Sequence, residues 1–192
     1  MPRITALQAL RDKAGIQKGH KVLIVGSAGG VGTFAVQLAR YFGAEVTGVC
    51  SSKNVQQTLS LGADHVIDYK NERFTGNGLQ YNVILGINGN YPLSDYRKAL
   101  TSNGTYVMVG GSLSQVFKSL LFGWLLSLGS KKMKSLAAKA NTNDLELLTQ
   151  LLGKGIIKPV IDRRYPLDKA ADAMNYLKQG HSTGKVVINT ES

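Results

Sequence analysis

The segment Lys21-Val22-Leu23-Ile24-Val25-Gly26-Ser27-Ala28-Gly29-Gly30-Val31-Gly32 decides how this chain folds. Its four consecutive apolar residues, 22–25, are typical of a central strand in a parallel sheet, because such a strand is covered on both faces. Glycines follow, and apolar residues then recur with helical spacing up to Phe42. The segment therefore predicts a buried strand, a glycine turn and a helix, in that order.

The glycine turn predicts a binding site for the pyrophosphate of a dinucleotide. A helix that begins after such a turn presents unpaired N–H groups and the positive end of its dipole. Gly29 allows the backbone to approach the phosphates, and Gly32 allows the helix to pack closely on the strand. Ser27 stands where the usual motif has its first glycine. The predicted phosphate-binding residues are Ser27, Ala28, Gly29, Gly30, Val31 and Gly32.

Strands and helices alternate along the chain, which predicts an α/β fold. Beyond the first strand, predicted strands cover 45–49, 65–67, 81–85, 105–109 and 185–188, with an extended piece at 160–161. Predicted helices cover 5–13, 54–61, 93–100, 116–128, 144–152 and 168–178. The repeated strand–helix unit predicts a doubly wound parallel sheet with helices on both faces.

The bulk composition indicates a globular protein. A chain of 192 residues with 43% hydrophobic and 18% charged residues suits one compact α/β domain. No apolar run is long enough to span a bilayer, and the start of the chain predicts no signal peptide. The single cysteine excludes a disulfide framework and a paired-cysteine metal site, so we expect a cytoplasmic protein without zinc.

The formal net charge of +11 raises the question of nucleic-acid binding. One local cluster of lysines stands out against an otherwise even distribution: Lys131, Lys132, Lys134 and Lys139. No aromatic residues interleave with it, and no nucleic-acid-binding motif is present. The charge therefore predicts a solvated basic surface and no nucleic-acid partner.

Six segments, in this order, resemble the medium-chain dehydrogenase/reductase superfamily, and within it the zinc-independent quinone oxidoreductase-like branch. They are Leu7-Gln8-Ala9-Leu10, the glycine turn 26–32, Gly43-Ala44-Glu45-Val46, Leu61-Gly62-Ala63-Asp64-His65-Val66-Ile67-Asp68-Tyr69, Pro159-Val160-Ile161-Asp162 and Gly184-Lys185-Val186-Val187-Ile188. The resemblance implies a Rossmann domain, here 1–158, that holds NADPH or NADH. It also implies hydride transfer to a quinone, an enone or a related activated carbonyl compound.

In the family that the chain resembles, an N-terminal domain built mostly of β-strands precedes the point where this sequence starts. The resemblance therefore implies that segment 159–192 packs on a domain missing from this chain. We expect the chain as it stands to fold and bind cofactor but to reduce quinones or enones poorly, because one wall of the cleft is absent. A non-catalytic NADPH-binding or sensing module is the alternative.

The residues after the second strand bear on the choice of cofactor. NAD-specific folds usually have an acidic residue about 20 positions beyond the glycines, to bind the ribose hydroxyls. Here the sequence is Val49-Cys50-Ser51-Ser52-Lys53-Asn54, without an acid. Ser51, Ser52 and Lys53 can bind a 2′-phosphate, which favours NADPH, and they also suit the start of the next helix. The resemblance further implies that Tyr69 lines the adenosine side and that Gly110 and Gly111 approach the nicotinamide.

The sequence identifies no catalytic acid or base. Tyr165 and Lys169 have the spacing of the catalytic pair in short-chain dehydrogenases, a competing family. Pro166 and Leu167 separate an extended segment from a helix at this point, so we expect the pair not to share a helical face. The apolar segment 117–128 has two interpretations: a buried or cleft-side helix, or a surface for self-association into a homodimer.

Overall fold

The structure is a computed structural model that describes residues 1–76, 78–87, 91–110, 130–180 and 182–190. The larger sheet contains β1 (Lys21–Val25), β2 (Glu45–Cys50), β3 (His65–Asp68), β4 (Tyr81–Ile87), β5 (Leu100–Val109) and β6 (Lys132–Leu136). A smaller sheet pairs β7 (Ile161–Pro166) with β8 (Lys185–Asn189). The α-helices are α1 (Pro2–Gln8), α2 (Gly32–Tyr41), α3 (Val55–Ser60), α4 (Leu93–Ala99), α5 (Thr142–Gly153) and α6 (Ala170–Lys178). Shorter helical turns are Ala9–Ala14, Ser52–Asn54 and Leu167–Lys169.

The strands of the larger sheet lie in the order β3-β2-β1-β4-β5-β6, and every pair of neighbours is parallel. The order reverses direction between β1 and β4, which is the topological switch point of a doubly wound sheet. This arrangement confirms the Rossmann fold that the sequence predicts. Ligands of such sheets bind in the crevice beyond the carboxyl ends of the strands at the switch point.

The apolar run 22–25 is continuous because its residues supply two different cores. Its even-numbered members pack in a core that α1, α2 and α5 cover. Its odd-numbered members pack in a second core on the opposite face, which contains Phe74, Tyr96 and Tyr106. Successive side chains of a strand point to opposite faces, so a strand covered on both faces has no position for a polar residue.

The edge strand β6 was not predicted from the sequence. Lys132 and Lys134 are exposed, whereas Met133 and Leu136 pack against the two cores. Only the pairing with β5 makes this lysine-rich segment a strand. Exposed lysines on an edge strand also oppose unwanted pairing with another chain.

A buried carboxylate joins α1 to the start of α5. Asp144 is only 2% exposed and accepts hydrogen bonds from Gln8 Nε2 at 2.7 Å and from Asn141 Nδ2 at 2.8 Å. Arg11 Nη2 lies 2.7 Å from its other oxygen. Burial alone would raise the pKa of Asp144, but the hydrogen bonds from Gln8, Arg11 and Asn141 outweigh burial and lower that pKa. The carboxylate therefore remains ionised and fixes the two helices to each other.

The substitution Asp144→Ala should lower the free energy of unfolding by about 1–3 kcal/mol, because it removes the buried carboxylate that accepts from Gln8, Arg11 and Asn141. Urea unfolding at pH 7 measures this, with Asp172→Ala, an exposed acid in the first turn of α6, as the control. The folded-state pKa of Asp144 lies below its ordinary value, so its stabilisation is fully present above that ordinary value and disappears as the pH falls through the lowered pKa. If both variants lost the same free energy of unfolding, or if the loss in Asp144→Ala grew as the pH fell, the stabilising role of the Asp144 carboxylate would be contradicted.

Candidate functional site

A cavity of about 610 Å³ opens beyond the carboxyl ends of β1, β2 and β4, beside the start of α2. Its size suits a small-molecule ligand. The described residues that line it are Val25, Gly26, Ala28, Gly29, Gly30, Val31, Val49, Cys50, Ser51, Lys53, Asn54, Tyr69, Ile87, Tyr91, Gly180, Ser182 and Lys185. The cavity thus lies at the switch point, where the topology of the sheet predicts a ligand.

The structure brings most of the predicted cofactor-binding residues together in this cavity. Those that line it are Ala28, Gly29, Gly30, Val31, Ser51, Lys53 and Tyr69. Ser27, Gly32 and Ser52 lie next to lining residues in the chain but do not line it, and Gly110 follows β5 at the same edge of the sheet. Gly111 lies outside the described residues. A binding role for each of these residues remains a prediction.

Gly26 makes the tight turn after β1. Its φ is +88°, and a Cβ there would collide with the carbonyl oxygen of Ile87. Ser27 is fully buried behind the turn, where its amide and its hydroxyl both donate to the carbonyl of Val49, at 3.1 and 3.2 Å. Since Gly26 already supplies the left-handed conformation, a serine is tolerated at the position where the usual motif has its first glycine.

Gly32 allows α2 to lie close against the turn. A Cβ on Gly32 would collide with the carbonyl oxygen of Gly26 and lie 2.8 Å from the Cα of Ser27. Gly29 differs, because a Cβ there would meet only the Gly26 carbonyl oxygen at 3.6 Å, which is ordinary van der Waals contact. The fold therefore requires glycine at Gly32, whereas at Gly29 the missing side chain leaves room on the cavity side.

The start of α2 presents amides that need an acceptor. In the described part of the chain, the N–H groups of Gly30, Val31 and Gly32 have no hydrogen-bond acceptor, whereas Thr33 already donates to the Gly29 carbonyl at 3.0 Å. Unpaired amides and the positive end of the helix dipole together favour an anion. The residues present thus fit the pyrophosphate of a nicotinamide dinucleotide.

An acidic side chain that sequence reasoning missed lies beside Ser52. Cys50 pairs with Asp68 across β2 and β3, and the hydroxyl of Ser52 donates to Asp68 Oδ2 at 2.5 Å. The bond from Ser52, followed by the one from the Lys70 amide at 3.0 Å, lowers the pKa of Asp68. The Ser52 hydroxyl is therefore committed to a carboxylate, while Ser51 and Lys53 line the cavity.

The C-terminal segment forms a further wall of the cavity, through Gly180, Ser182 and Lys185. The Gly184 amide donates to the Ala28 carbonyl at 3.0 Å, and the Thr183 hydroxyl donates to Asn54 Oδ1 at 3.1 Å. The segment thus contacts the glycine turn within this chain. Its packing on a further domain stays a prediction. The family resemblance includes Gly184-Lys185, but it assigned this segment to packing on a further domain and gave it no role at the cofactor site.

Tyr91, Asn54, Cys50 and Ile87 also line the cavity without having been predicted there. Cys50 and Ile87 end buried strands, so their apolar surroundings concealed their place at the cavity wall. Asn54 links Ser51 to Thr183, since its amide donates to Ser51 Oγ at 3.2 Å and its oxygen accepts from the threonine. Tyr91 and Ile87 reach the cavity through the packing of distant segments, whereas Cys50 and Asn54 flank the predicted residues 51–53 in the chain.

The structure separates the residues of the competing short-chain pattern. Tyr165 belongs to strand β7, and Lys169 ends the short helical turn Leu167–Lys169, so the two do not share a helical face.

Across the described ranges, no three His, Cys, Asp or Glu side chains are grouped as a metal ion would require. None of the helices described is both long and apolar enough to cross a membrane. The segment 117–128, with its two interpretations, lies outside the described residues.

Residues 61–188 match the family model described as zinc-binding dehydrogenase. The chain is 31% identical to a chloroplast envelope quinone oxidoreductase homolog of Arabidopsis thaliana, over 96% of this chain and 58% of that protein. It is 34% identical to a 2-methylene-furan-3-one reductase of Solanum lycopersicum, over 96% of this chain and 44% of that protein. The quinone oxidoreductase of Coxiella burnetii superposes on it with a TM-score of 0.86 and 26% identity, over 100% of this chain and 59% of that one. The chain therefore spans about half the length of these proteins.

Alanine at Gly32 should affect folding, whereas alanine at Gly29 should affect cofactor binding. Gly32→Ala should lower the free energy of unfolding by about 1–3 kcal/mol, because its Cβ meets backbone that cannot move aside. Gly29→Ala should leave that free energy within about 0.5 kcal/mol of wild type. It should still weaken NADP⁺ binding about tenfold or more, because a methyl group keeps the pyrophosphate from the amides.

Chemical denaturation and fluorescence titration measure the two effects on the same protein samples. If Gly29→Ala bound NADP⁺ as tightly as the wild type, the phosphates would not approach this turn. If Gly32→Ala were as stable as the wild type, the close contact between α2 and the turn would be wrong.

Proposed function

Because this chain belongs to the zinc-binding dehydrogenase family, within the medium-chain dehydrogenase/reductases, we propose that it is the cofactor-binding portion of an NADPH-dependent oxidoreductase. Its acceptor is a quinone, an enone or a related activated carbonyl compound. The observation that carries the proposal is the set of three amides at the start of α2, on Gly30, Val31 and Gly32, with no acceptor in the described part of the chain. They lie at the switch point of the sheet, where this fold binds dinucleotides.

The nicotinamide, when bound, supplies the hydride, and the protein supplies binding and orientation. The amides of the glycine turn hold the pyrophosphate by charge-assisted hydrogen bonds. Ser51, Lys53 and Tyr69 line the part of the cavity beside β2 and β3, which suits the adenosine half of the cofactor. Ile87 ends β4 on the other side of the switch point and suits the half that carries the nicotinamide.

The charges around the cavity support NADPH over NADH. Of the described residues that line it, none is acidic and two, Lys53 and Lys185, are lysines. A 2′-phosphate gains a charge-assisted contact from an ammonium and would be repelled by a carboxylate. Asp68 ends β3 beside Ser52, and its two oxygens accept bonds from Ser52, Asn71 and the Lys70 amide. Its carboxylate is thus already hydrogen-bonded by its neighbours.

The names of the relatives support the proposed class of acceptor. The Arabidopsis relative is named for a quinone, and the tomato relative for a 2-methylene-furan-3-one, a ketone conjugated to a methylene group. Both acceptors take up hydride at a carbon or oxygen conjugated with a carbonyl group. We extend this shared chemistry to the present chain.

Reversing the charge at Lys53 should change the cofactor preference. Lys53→Glu should weaken NADPH binding about tenfold or more and leave NADH binding nearly unchanged, because only NADPH carries the 2′-phosphate. Asp68→Asn should shift the preference the other way, towards tighter NADPH binding, because it removes a nearby negative charge. Lys154→Glu is the matched control, since it makes the same charge change at an exposed position that does not line the cavity.

Fluorescence titration of each variant with both cofactors measures the preference, and oxidation of NADPH by a quinone and by an enone measures the activity. Equal loss of NADPH and NADH affinity in Lys53→Glu, or tighter binding of NADH by the wild type, would contradict the NADPH preference. Absence of binding to either cofactor would overturn the proposed function itself.

A further inference from the structure

A lysine from the C-terminal segment lies directly over the glycine turn. Lys185 begins β8 and lines the cavity beside Gly29 and Gly30. A Cβ on Gly30 would lie 2.7 Å from the Cε of Lys185 and would collide with its Nζ. The ammonium group therefore occupies the space that the missing side chain of Gly30 leaves open, next to the amides that lack an acceptor.

Backbone hydrogen bonds hold the chain at Lys185 beside the glycine turn. The Gly184 amide donates to the Ala28 carbonyl at 3.0 Å, and the Lys185 amide donates to the Val160 carbonyl at 2.8 Å. Gly184 has a φ of +93°, and a Cβ there would collide with the same Val160 carbonyl oxygen. These contacts hold the start of β8 against both the glycine turn and the segment before β7, and so place the root of the lysine side chain beside the turn.

Among the residues that the structure describes, none brings a negative charge to Lys185. Burial lowers the pKa of its ammonium group. Throughout the described ranges, no carboxylate lies within ion-pair distance of its Nζ. A half-buried cation without a counter-charge is unfavourable in the ligand-free protein, and an anion in the cavity would remove that cost.

We infer that Lys185 binds the pyrophosphate of the cofactor from the side opposite the helix amides, and thereby links cofactor binding to the docking of β7 and β8. The inference rests on the proposed dinucleotide site and adds to it a residue from a different part of the chain. Because such coupling is reciprocal, a cofactor that is held by Lys185 also stabilises the C-terminal segment on the glycine turn. Gly30 has a second function in this arrangement, since it makes room for the lysine as well as for the phosphates.

The variant Lys185→Met tests the inference, because methionine keeps an unbranched apolar chain and removes the charge. We expect its ligand-free melting temperature to equal or exceed that of the wild type, since an uncompensated charge has been removed. Its dissociation constant for NADP⁺ should rise about tenfold or more, and the rise in melting temperature on adding NADP⁺ should shrink. Lys178→Met is the matched control, at an exposed position on the same segment that does not line the cavity.

Fragments of the cofactor identify which phosphate the lysine binds. ADP-ribose contains the pyrophosphate without the 2′-phosphate, and 2′-AMP contains the 2′-phosphate without the pyrophosphate. Lys185→Met should weaken ADP-ribose binding as much as NADP⁺ binding and leave 2′-AMP binding unchanged. Lys185→Arg should restore most of the ADP-ribose affinity, because it restores the positive charge.

Amide hydrogen exchange in β8 gives a readout that does not depend on activity. Added NADP⁺ should slow exchange there in the wild type and in Lys178→Met, and less so in Lys185→Met. If the wild type binds NADP⁺ and Lys185→Met binds it equally well, the inference is wrong and the proposed function stands. A large fall in the ligand-free melting temperature of Lys185→Met would make the lysine structural and would also overturn the inference. If the wild type binds neither NADP⁺ nor ADP-ribose, the proposed function fails together with the inference.

Discussion

Backbone packing between the turn after β1 and the first residues of α2 is the constraint on which the site depends. A side chain fits neither at Gly26, against the carbonyl of Ile87, nor at Gly32, against the carbonyl of Gly26. This contact joins β1, β4 and α2 at one point and fixes the direction in which the first amides of α2 face. The fold thereby creates an anion site from main-chain atoms, which need no rearrangement when a ligand binds.

Positive charge reaches this site from two distant parts of the chain. Lys53 follows β2, whereas Lys185 begins β8, and both line the same cavity. The acid that approaches from β3, Asp68, stays ionised and accepts hydrogen bonds from Ser52, Asn71 and the Lys70 amide. The cavity is therefore basic because of the placement of individual side chains, and the net charge of +11 would not by itself have located it.

The parts of the fold that were predicted from the sequence are those with a strong local signal. The continuous apolar run 22–25 marks a strand covered on both faces, and the glycines after it mark the turn. Strand β6 has no such signal, because at a sheet edge its exposed lysines are as numerous as the side chains that pack inward. Asp68 and Lys185 were missed for a different reason: their neighbours are set by strand pairing and by docking of distant segments, which no local pattern encodes. Likewise, only the positive φ of Gly26 explains why a serine fits at position 27, where the usual motif has a glycine.

A crystal structure of this chain with bound NADP⁺ tests the assignment of the anion site most directly. The pyrophosphate oxygens should lie within hydrogen-bond distance, roughly 2.7–3.2 Å, of the amides of Gly30 and Val31, with the Lys185 ammonium on the other side. The adenosine half should extend towards Ser51 and Lys53. A pyrophosphate bound elsewhere on the protein, with the start of α2 facing only solvent, would contradict the central claim.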